Sequence, residues 1–571
     1  MRHLRTAIVV VFVAISLVAR AASVAPVGAE HGMVVSAQHL ATQVGVDTLR
    51  KGGNAIDAAV AVGYALAVVY PAAGNLGGGG FMTIHFADGH NTFLDFREKA
   101  PLAARPDMYL DDGGNVVAMA STRGHRAVGV PGTVSGLEVA RRQYGTMKRA
   151  DLLAPAIRLA ERGFVLEQGD VDLFHIGAKD LANDPPSAKI FLANGAAPAV
   201  GHRLVQRDLA RTLRAIAQRG SDGFYQGRVG AAIVASSRAG RGIVTQADLD
   251  GYRPRELSPV ECDYRGYHIV SAPPPSSGGV ILCEILNIVE GYPLKELGFR
   301  SAQSVHYQIE AMRHAYVDRN SYLGDPDFVQ NPLERLLDKR YAESIRAAID
   351  PARAGISAEL KPGVAPHEGS NTTHYSIVDK DGNAVSVTYT LNDAFGARVT
   401  AAGTGVLLND EMDDFTVKPG VPNLYGLVQG EANAIAPGKR PLSSMSPTIL
   451  LKDGKVALVL GTPGGSRIIT AVMLTILNVV DYGMNIQEAI DAPRFHQQWL
   501  PETTTLETFA LSPDTRRILE DMGHKFGSQP PANHVTAILV GAPSLGGKPV
   551  DANRLYGAND PRGNTGRALG Y

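Results

Sequence analysis

Apolar and polar positions alternate along this chain with two distinct periods. A recurrence every three to four residues predicts helices over 37–50, 54–69, 150–163, 204–219, 301–319, 335–349, 468–481, 486–491 and 512–523. Strict alternation, or a short apolar run between turn residues, predicts strands over 81–86, 92–95, 268–271, 374–378, 384–390, 446–451, 456–462 and 537–540. Two of these strands read as a hairpin. Ser376-Ile377-Val378 runs into Lys380-Asp381-Gly382-Asn383 and the chain returns over 384–390. An Asp-Gly pair between alternating β-formers is a strong short-range hairpin signal.

Two apolar stretches need weighing as membrane spans. Residues 7–19 (AIVVVFVAISLVA) follow a basic start of Arg2, His3 and Arg5. Small residues come next, with Ala19-Arg20-Ala21 and Val27-Gly28-Ala29 as candidate cleavage sites. This three-part layout predicts a secretory signal peptide over 1–29, cut after 21 or 29 and lying outside the fold. The rival is an uncleaved membrane anchor, for which the run is short. Export to the periplasm is the expected localisation, and secretion the second choice. The other stretch, 55–70 (AIDAAVAVGYALAVVY), contains Asp57, stops at Pro71 and falls short of the ~20 residues of a spanning helix. With Asn54 placed to cap it, it reads as a buried core helix.

Composition narrows the class. The 571 residues are 45% apolar and 19% charged, which suits a folded globular chain and excludes disorder as the main state. Fifty-five Lys and Arg balance 56 Asp and Glu, so there is no electrostatic footprint for nucleic acid. The 62 glycines announce many tight turns and close backbone approaches. Cys262 and Cys283 are too few for a disulfide framework or a cysteine zinc site. An oxidising compartment would let them pair, and two buried free thiols is the equal alternative.

The chemistry concentrates at one junction. Residues 351–371 (PARAGISAELKPGVAPHEGSN) have no sustained period and read as an exposed linker, which ends abruptly at Thr372-Thr373-His374-Tyr375-Ser376. A threonine hydroxyl is a poor nucleophile unless a base lies beside it. If the threonine is a chain terminus, its own α-amine, with an ordinary pKa of about 7.7–8, is that base. The chain must first be cut before Thr372, and the same hydroxyl can do this by attacking the preceding carbonyl. Most Thr-Thr pairs at a strand are only β-formers, so this reading needs support from elsewhere.

The support is a resemblance. Residues 371–415 (NTTHYSIVDKDGNAVSVTYTLNDAFGARVTAAGTGVLLNDEMDDF) resemble the start of the small subunit of the γ-glutamyltransferases. The segments 441–448 (PLSSMSPT), 461–467 (GTPGGSR), 95–101 (DFREKAP), 273–279 (PPPSSGG) and 324–328 (GDPDF) resemble further motifs of that family, in order. The likeness extends from about residue 31 to the end of the chain.

It implies an α+β, four-layer αββα sandwich of the N-terminal-nucleophile hydrolase type. It further implies a precursor that cuts itself between Asn371 and Thr372 into a large subunit, 30–371, and a small subunit, 372–571. By resemblance Thr372 is the nucleophile and Thr390 the threonine that orients it. Arg97, Ser443 and Ser444 would hold the α-carboxylate of a γ-glutamyl group, and Asn392, Glu411 and Asp414 its α-ammonium. Gly464 and Gly465 would offer backbone N–H groups to the oxyanion. The loop 418–430 resembles the lid of lidded members, with Tyr425 screening the site.

The implied activity is γ-glutamyl transfer from glutathione to water, an amino acid or a dipeptide, without metal or organic cofactor. The alternatives are a glutaryl-cephalosporin-type acylase of the same family and an exported glutamate-binding protein without turnover.

Three rival signals are weighed against this reading. His306, Glu310 and His314 lie at i, i+4 and i+8 and span about 12 Å of helix, too far to meet one ion, so they read as a polar helix face. Leu76-Gly77-Gly78-Gly79-Gly80 lacks the Gly-Lys-Ser/Thr of a phosphate cradle and reads as a close backbone crossing. His374 is set aside as a base for Thr372 because adjacent strand residues point to opposite faces.

Overall fold

A computed structural model describes residues 23–360, 372–424, 426–531, 533–541 and 553–571. Two seven-stranded antiparallel sheets form the centre. One runs Val27–Ala29, Leu555–Asn559, Thr536–Val540, Lys455–Gly461, Thr448–Lys452, Tyr267–Ser271, Val260–Tyr264. The other runs Arg567–Gly570, Met33–Ser36, Thr373–Val378, Ala384–Thr390, Gly79–His85, Asn91–Asp95, Arg255–Leu257.

Three apolar layers separate the elements. Met33, Val35, Ile449, Val459 and Ile538 fill the space between the sheets. Helices His39–Arg50, Ala55–Val69 and Arg149–Arg162 cover the outer face of the second sheet. Gly278–Glu290, Ala302–Tyr322 and Arg467–Val480 cover the first. The expected αββα order is therefore present.

The hairpin forms as its turn residues predict. Gly382 takes φ +93° and the Asp379 carboxylate accepts the N–H groups of Asp381 and Asn383, each at 3.0 Å. It also accepts the Ala55 N–H at 2.9 Å, tying the turn to the head of the next helix. That helix, Ala55–Val69, is buried along its whole length and opens on a capping box between Asn54 and Asp57. Tyr375 and Tyr389 donate their hydroxyls to Ala59 O (3.1 Å) and Gly63 O (3.0 Å), so it braces the two strands that carry Thr372 and Thr390. Among the described residues no helix is long and apolar enough to cross a membrane.

Three expectations change. Residues 27–29 belong to the fold: they pair with Leu555–Asn559 as an edge strand, with Ala29 buried. Gly278–Glu290 is absent from the predicted helices although Glu284, Asn287 and Glu290 recur at helical spacing along it, and it is buried up to its last residue. The cysteines pair. Cys262 on an edge strand and Cys283 on that helix lie 6.0 Å apart at Cα, joined by a disulfide.

Candidate active site

At the open end of the central hairpin lies a small cavity of about 20 Å³. Thr372, Thr390, Asn392, Arg97, Glu411, Asp414, Ser443, Ser444 and Gly465 all reach its wall. They come from six short stretches between residues 97 and 465, which the fold gathers at one sheet end. Thr372 immediately precedes the strand Thr373–Val378 and is 5% exposed. Antiparallel register sets the end of Ala384–Thr390 opposite it, and Thr390 Oγ1 donates to Thr372 Oγ1 at 3.4 Å. Thr390 Oγ1 in turn accepts the N–H of Asn392 at 2.8 Å, which fixes its rotamer.

Behind the threonines the glycine run does what the sequence suggested. A Cβ on Gly77 would stand 2.1 Å from Leu407 O, and one on Gly78 1.9 Å from Thr390 O. Only bare backbone lets this crossing pass beneath the cavity.

Arg97 is wholly buried and its guanidinium is the hub of the charged wall. Nη1 donates to Glu411 Oε1, Nη2 to Asp414 Oδ2, and Nε to Pro441 O at 3.3 Å. Burial alone would lower its pKa, but Glu411 and Asp414 outweigh this and hold the cation above its ordinary value. Burial pushes the Glu411 carboxyl well above the carboxylate range, against the pull of Arg97. Asn392 turns its side-chain amide to Asp410 O at 3.0 Å.

The neighbouring motifs act as scaffold. Asp95 accepts the Arg97 N–H at 2.9 Å, and Asp325 accepts the Arg440 N–H at 2.7 Å, just before Pro441 and Leu442. Pro275 O and Ser277 N exchange backbone hydrogen bonds of 2.8 Å with Ser443, lacing 273–277 to the serine pair.

Gly465 lies in the cavity wall at the amino end of helix Arg467–Val480, with φ +56°. Such a helix end concentrates unpaired N–H groups and positive potential. Gly464 is not on the wall but beside it, with φ +131°, and a Cβ there would meet Asn533 Nδ2 at 2.1 Å. Leu427 of the loop 418–430 closes part of the cavity, and Leu424 N–H donates to Asp413 Oδ2 at 2.7 Å. Asn371 and Tyr425 lie outside the described residues.

Two site features escaped the sequence reading. Glu98 sits against Arg97, with 3.7 Å between Oε2 and Nη1, and burial raises its pKa to about 7. Arg319, from the last turn of Ala302–Tyr322, also reaches the cavity wall. Glu98 was legible as the residue after Arg97, whereas Arg319 had no signal beyond one polar position on a helix.

The rivals resolve with one correction each to two of them. Thr372 and His374 are two residues apart, so alternation puts them on the same side and cannot separate them. Packing separates them: His374 Nδ1 bonds Thr388 Oγ1 at 2.8 Å and Nε2 meets Ser376 Oγ at 3.2 Å between the sheets. Burial lowers its pKa to about 3, so it stays neutral.

His306 and Glu310 are buried rather than on a solvated face, because 350–357 and His524 cover them. His306 bonds His524 Nε2 and Asp350 O, both at 2.8 Å, and Glu310 faces Arg313 at 3.4 Å. His306 and His524 bond each other, whereas Glu310 Oε1, Arg313 Nε and His524 Nδ1 have no hydrogen-bond partner among the described residues. His306, Glu310 and His524 lie close enough together to hold a metal ion, and His314 stands outside that group.

Comparisons with known proteins agree with this architecture. The family model described as gamma-glutamyltranspeptidase matches residues 41–570. A glutathione hydrolase proenzyme of Pseudomonas sp. (strain A14) is 73% identical, over 96% of each chain. The glutathione hydrolase proenzyme of Escherichia coli (strain K12) is 50% identical, over 96% of this chain and 93% of its own. Among solved structures, a cephalosporin acylase from Bacillus halodurans superposes with a TM-score of 0.82 at 28% identity, covering 98% of this chain and 99% of its own. With the Thr372-bearing hairpin, the two stacked sheets and a family match over nearly the whole length, this chain belongs to the gamma-glutamyltranspeptidase family.

Proposed function

We propose that the chain is an exported, self-processing γ-glutamyltransferase and glutathione hydrolase. The observation that carries this is the convergence of Arg97, Glu411 and Asp414 in one wall with Thr372. A cation and two carboxylates within one hydrogen-bonded group match a ligand that carries both a carboxylate and an ammonium on one carbon. That is the free end of a γ-glutamyl amide. Its α-carboxylate replaces a carboxylate partner of Arg97 and takes donors from Ser443 and Ser444. Its α-ammonium takes Glu411, Asp414 and Asn392 as acceptors.

With the α-carbon so held, the γ-carbonyl lies over Thr372. Thr372 Oγ attacks it while the α-amine of Thr372, freed by the cut after Asn371, takes the hydroxyl proton. Negative charge builds on the carbonyl oxygen beside the Gly464–Gly465 backbone at the helix end. Collapse of the tetrahedral adduct breaks the amide bond, and the leaving amine of Cys-Gly takes the proton. The γ-glutamyl ester on Thr372 then passes to water or to the amine of an amino acid or dipeptide, giving ping-pong kinetics. Thr390 holds the Thr372 hydroxyl in line, and the loop 418–430 covers the site during the acyl-enzyme stage.

The large subunit ends at Asn371 and the small subunit is 372–571, the two remaining packed as a heterodimer. Of the two signal cleavage sites, the one after Ala21 fits the fold, since a cut after Ala29 would remove the Val27–Ala29 edge strand. The periplasm is the proposed compartment, and the Cys262–Cys283 disulfide suits it.

The test is competition between glutathione and a glutaryl amide for the purified enzyme. A strong preference for glutathione supports the reading. Equal or better turnover of the glutaryl amide, which lacks the ammonium, makes the protein an acylase, and tight glutamate binding without turnover makes it a binding protein.

A further inference from the structure

Arg97 is matched by carboxylates before any substrate arrives, but the second guanidinium in the cavity wall is not. Arg319 is fully buried and makes no ion pair among the described residues. Every acceptor it uses is neutral. Nε donates to Ser277 Oγ at 2.9 Å, Nη1 to Asn320 Oδ1 at 2.9 Å and Gln429 Oε1 at 3.5 Å, and Nη2 to Ser444 Oγ at 2.9 Å. Tyr316, Asp414 and Arg97 act on it without a hydrogen bond, the first two favouring its charge and Arg97 opposing it. Burial lowers its pKa to about 10, so it remains a cation at neutral pH.

A buried cation without a counter-charge is costly, and folds rarely keep one in an apolar wall. Here it lies in the wall of the cavity that holds Thr372, where an anionic ligand group would supply the missing charge.

Its contact with Ser444 has a second consequence. A guanidinium has no acceptor, so Ser444 Oγ must accept in this bond. The Ser444 hydroxyl proton has no acceptor among the described residues, and Ser444 reaches the cavity. Arg319 therefore fixes the direction of that hydroxyl: it can only donate toward the cavity. A full charge behind it polarises the O–H and strengthens the bond it makes with an anion.

We propose that Arg319 is a positioning residue for the α-carboxylate of the substrate. It locks Ser444 as a hydrogen-bond donor and supplies the second positive charge of the carboxylate site. This rests on the γ-glutamyl reading of the cavity.

The test measures γ-glutamyl-p-nitroanilide hydrolysis by processed wild type, Arg319→Gln, Arg319→Lys, Ser444→Ala and the Arg319→Gln/Ser444→Ala double variant. Competitive inhibition by L-glutamate and by 4-aminobutyrate, which lacks the α-carboxylate, is measured on each. Loss of a hydrogen bond to a charged group predicts that Arg319→Gln raises KM and the glutamate inhibition constant about 10–100-fold, with kcat within about 3-fold. Inhibition by 4-aminobutyrate should be unchanged. The double variant should be little worse than the worse single variant, because the two residues act through one contact. Arg319→Lys, which keeps the charge and one donor, should recover most of the loss, and it carries the test if Arg319→Gln does not fold.

An equal loss for glutamate and 4-aminobutyrate, a fall in kcat alone, or additive effects of the two substitutions would overturn the proposal. Failure of the γ-glutamyl reading shows separately, as no turnover of γ-glutamyl-p-nitroanilide by wild type.

Discussion

Glu411→Gln keeps an oxygen where Arg97 Nη1 donates but cannot become the carboxylate that a bound ammonium draws out of the buried Glu411 carboxyl, so it isolates the ammonium side of the site. Glutamate and glutamine side chains have the same length and shape, and Glu411 is buried at 1% exposure, so little repacking should follow. Both oxygens accept a charge-assisted bond from a substrate ammonium, but only the carboxylate adds ion–ion attraction, about 1 kcal/mol at 4 Å in water and more in a buried site. The difference of about 1–1.5 kcal/mol corresponds to a 5–12-fold weaker hold on the γ-glutamyl group. Asp414 stays in place and keeps the effect from growing larger.

The assay is γ-glutamyl-p-nitroanilide hydrolysis, with L-glutamate and glutarate as competitive inhibitors. KM and the glutamate inhibition constant should rise 5–12-fold by the same free-energy difference, while glutarate, with no ammonium, should bind as well or better. An equal loss for both inhibitors would refute the assignment of Glu411 to the ammonium. So would a glutamate inhibition constant that does not move.

Other expectations follow from the same geometry. Cys262→Ser with Cys283→Ser opens a loop whose ends are 21 residues apart and should cost about 3 kcal/mol in urea unfolding of the oxidised protein, with no change after reduction; equal stability before and after reduction would contradict it. Burial raises the Glu98 pKa from 4.5 to about 7 in the fold, so its contribution is complete below pH 4.5 and is lost as pH rises through about 7. Glu98→Gln does not titrate, so its thermal-stability advantage over wild type should widen from pH 5 to pH 8, and parallel profiles would contradict this. Gly464→Ala must displace Asn533 and adopt φ +131°, so kcat should fall about 100-fold with KM little changed, measured by steady-state kinetics.

Much of this architecture was legible where local chemistry agrees with the fold. The Asp-Gly turn placed the hairpin, and Asn54 placed the start of the capped helix behind it. The glycine run announced the backbone crossing, while most of the expected linker, 361–371, lies outside the described residues. What was hidden has a common cause: it depends on contacts between distant segments.

The Val27–Ala29 strand is defined only by its partner some 528 positions away. Arg319 becomes a site residue because a helix turn lands beside Ser277 and Ser444, which no spacing in the chain reveals. Alternation leaves His374 on the same side as Thr372, and what holds its ring away are its bonds to Thr388 and Ser376.

The central claim is that Thr372 becomes a chain terminus and thereby a nucleophile. Denaturing mass spectrometry of purified wild type beside Thr372→Ala tests it directly. Wild type should give two chains, the smaller being residues 372–571 at about 21 kDa by its share of the length, beginning at Thr372, while the variant stays whole. A folded wild-type protein that remains a single chain, or one cut at another residue, would contradict the account.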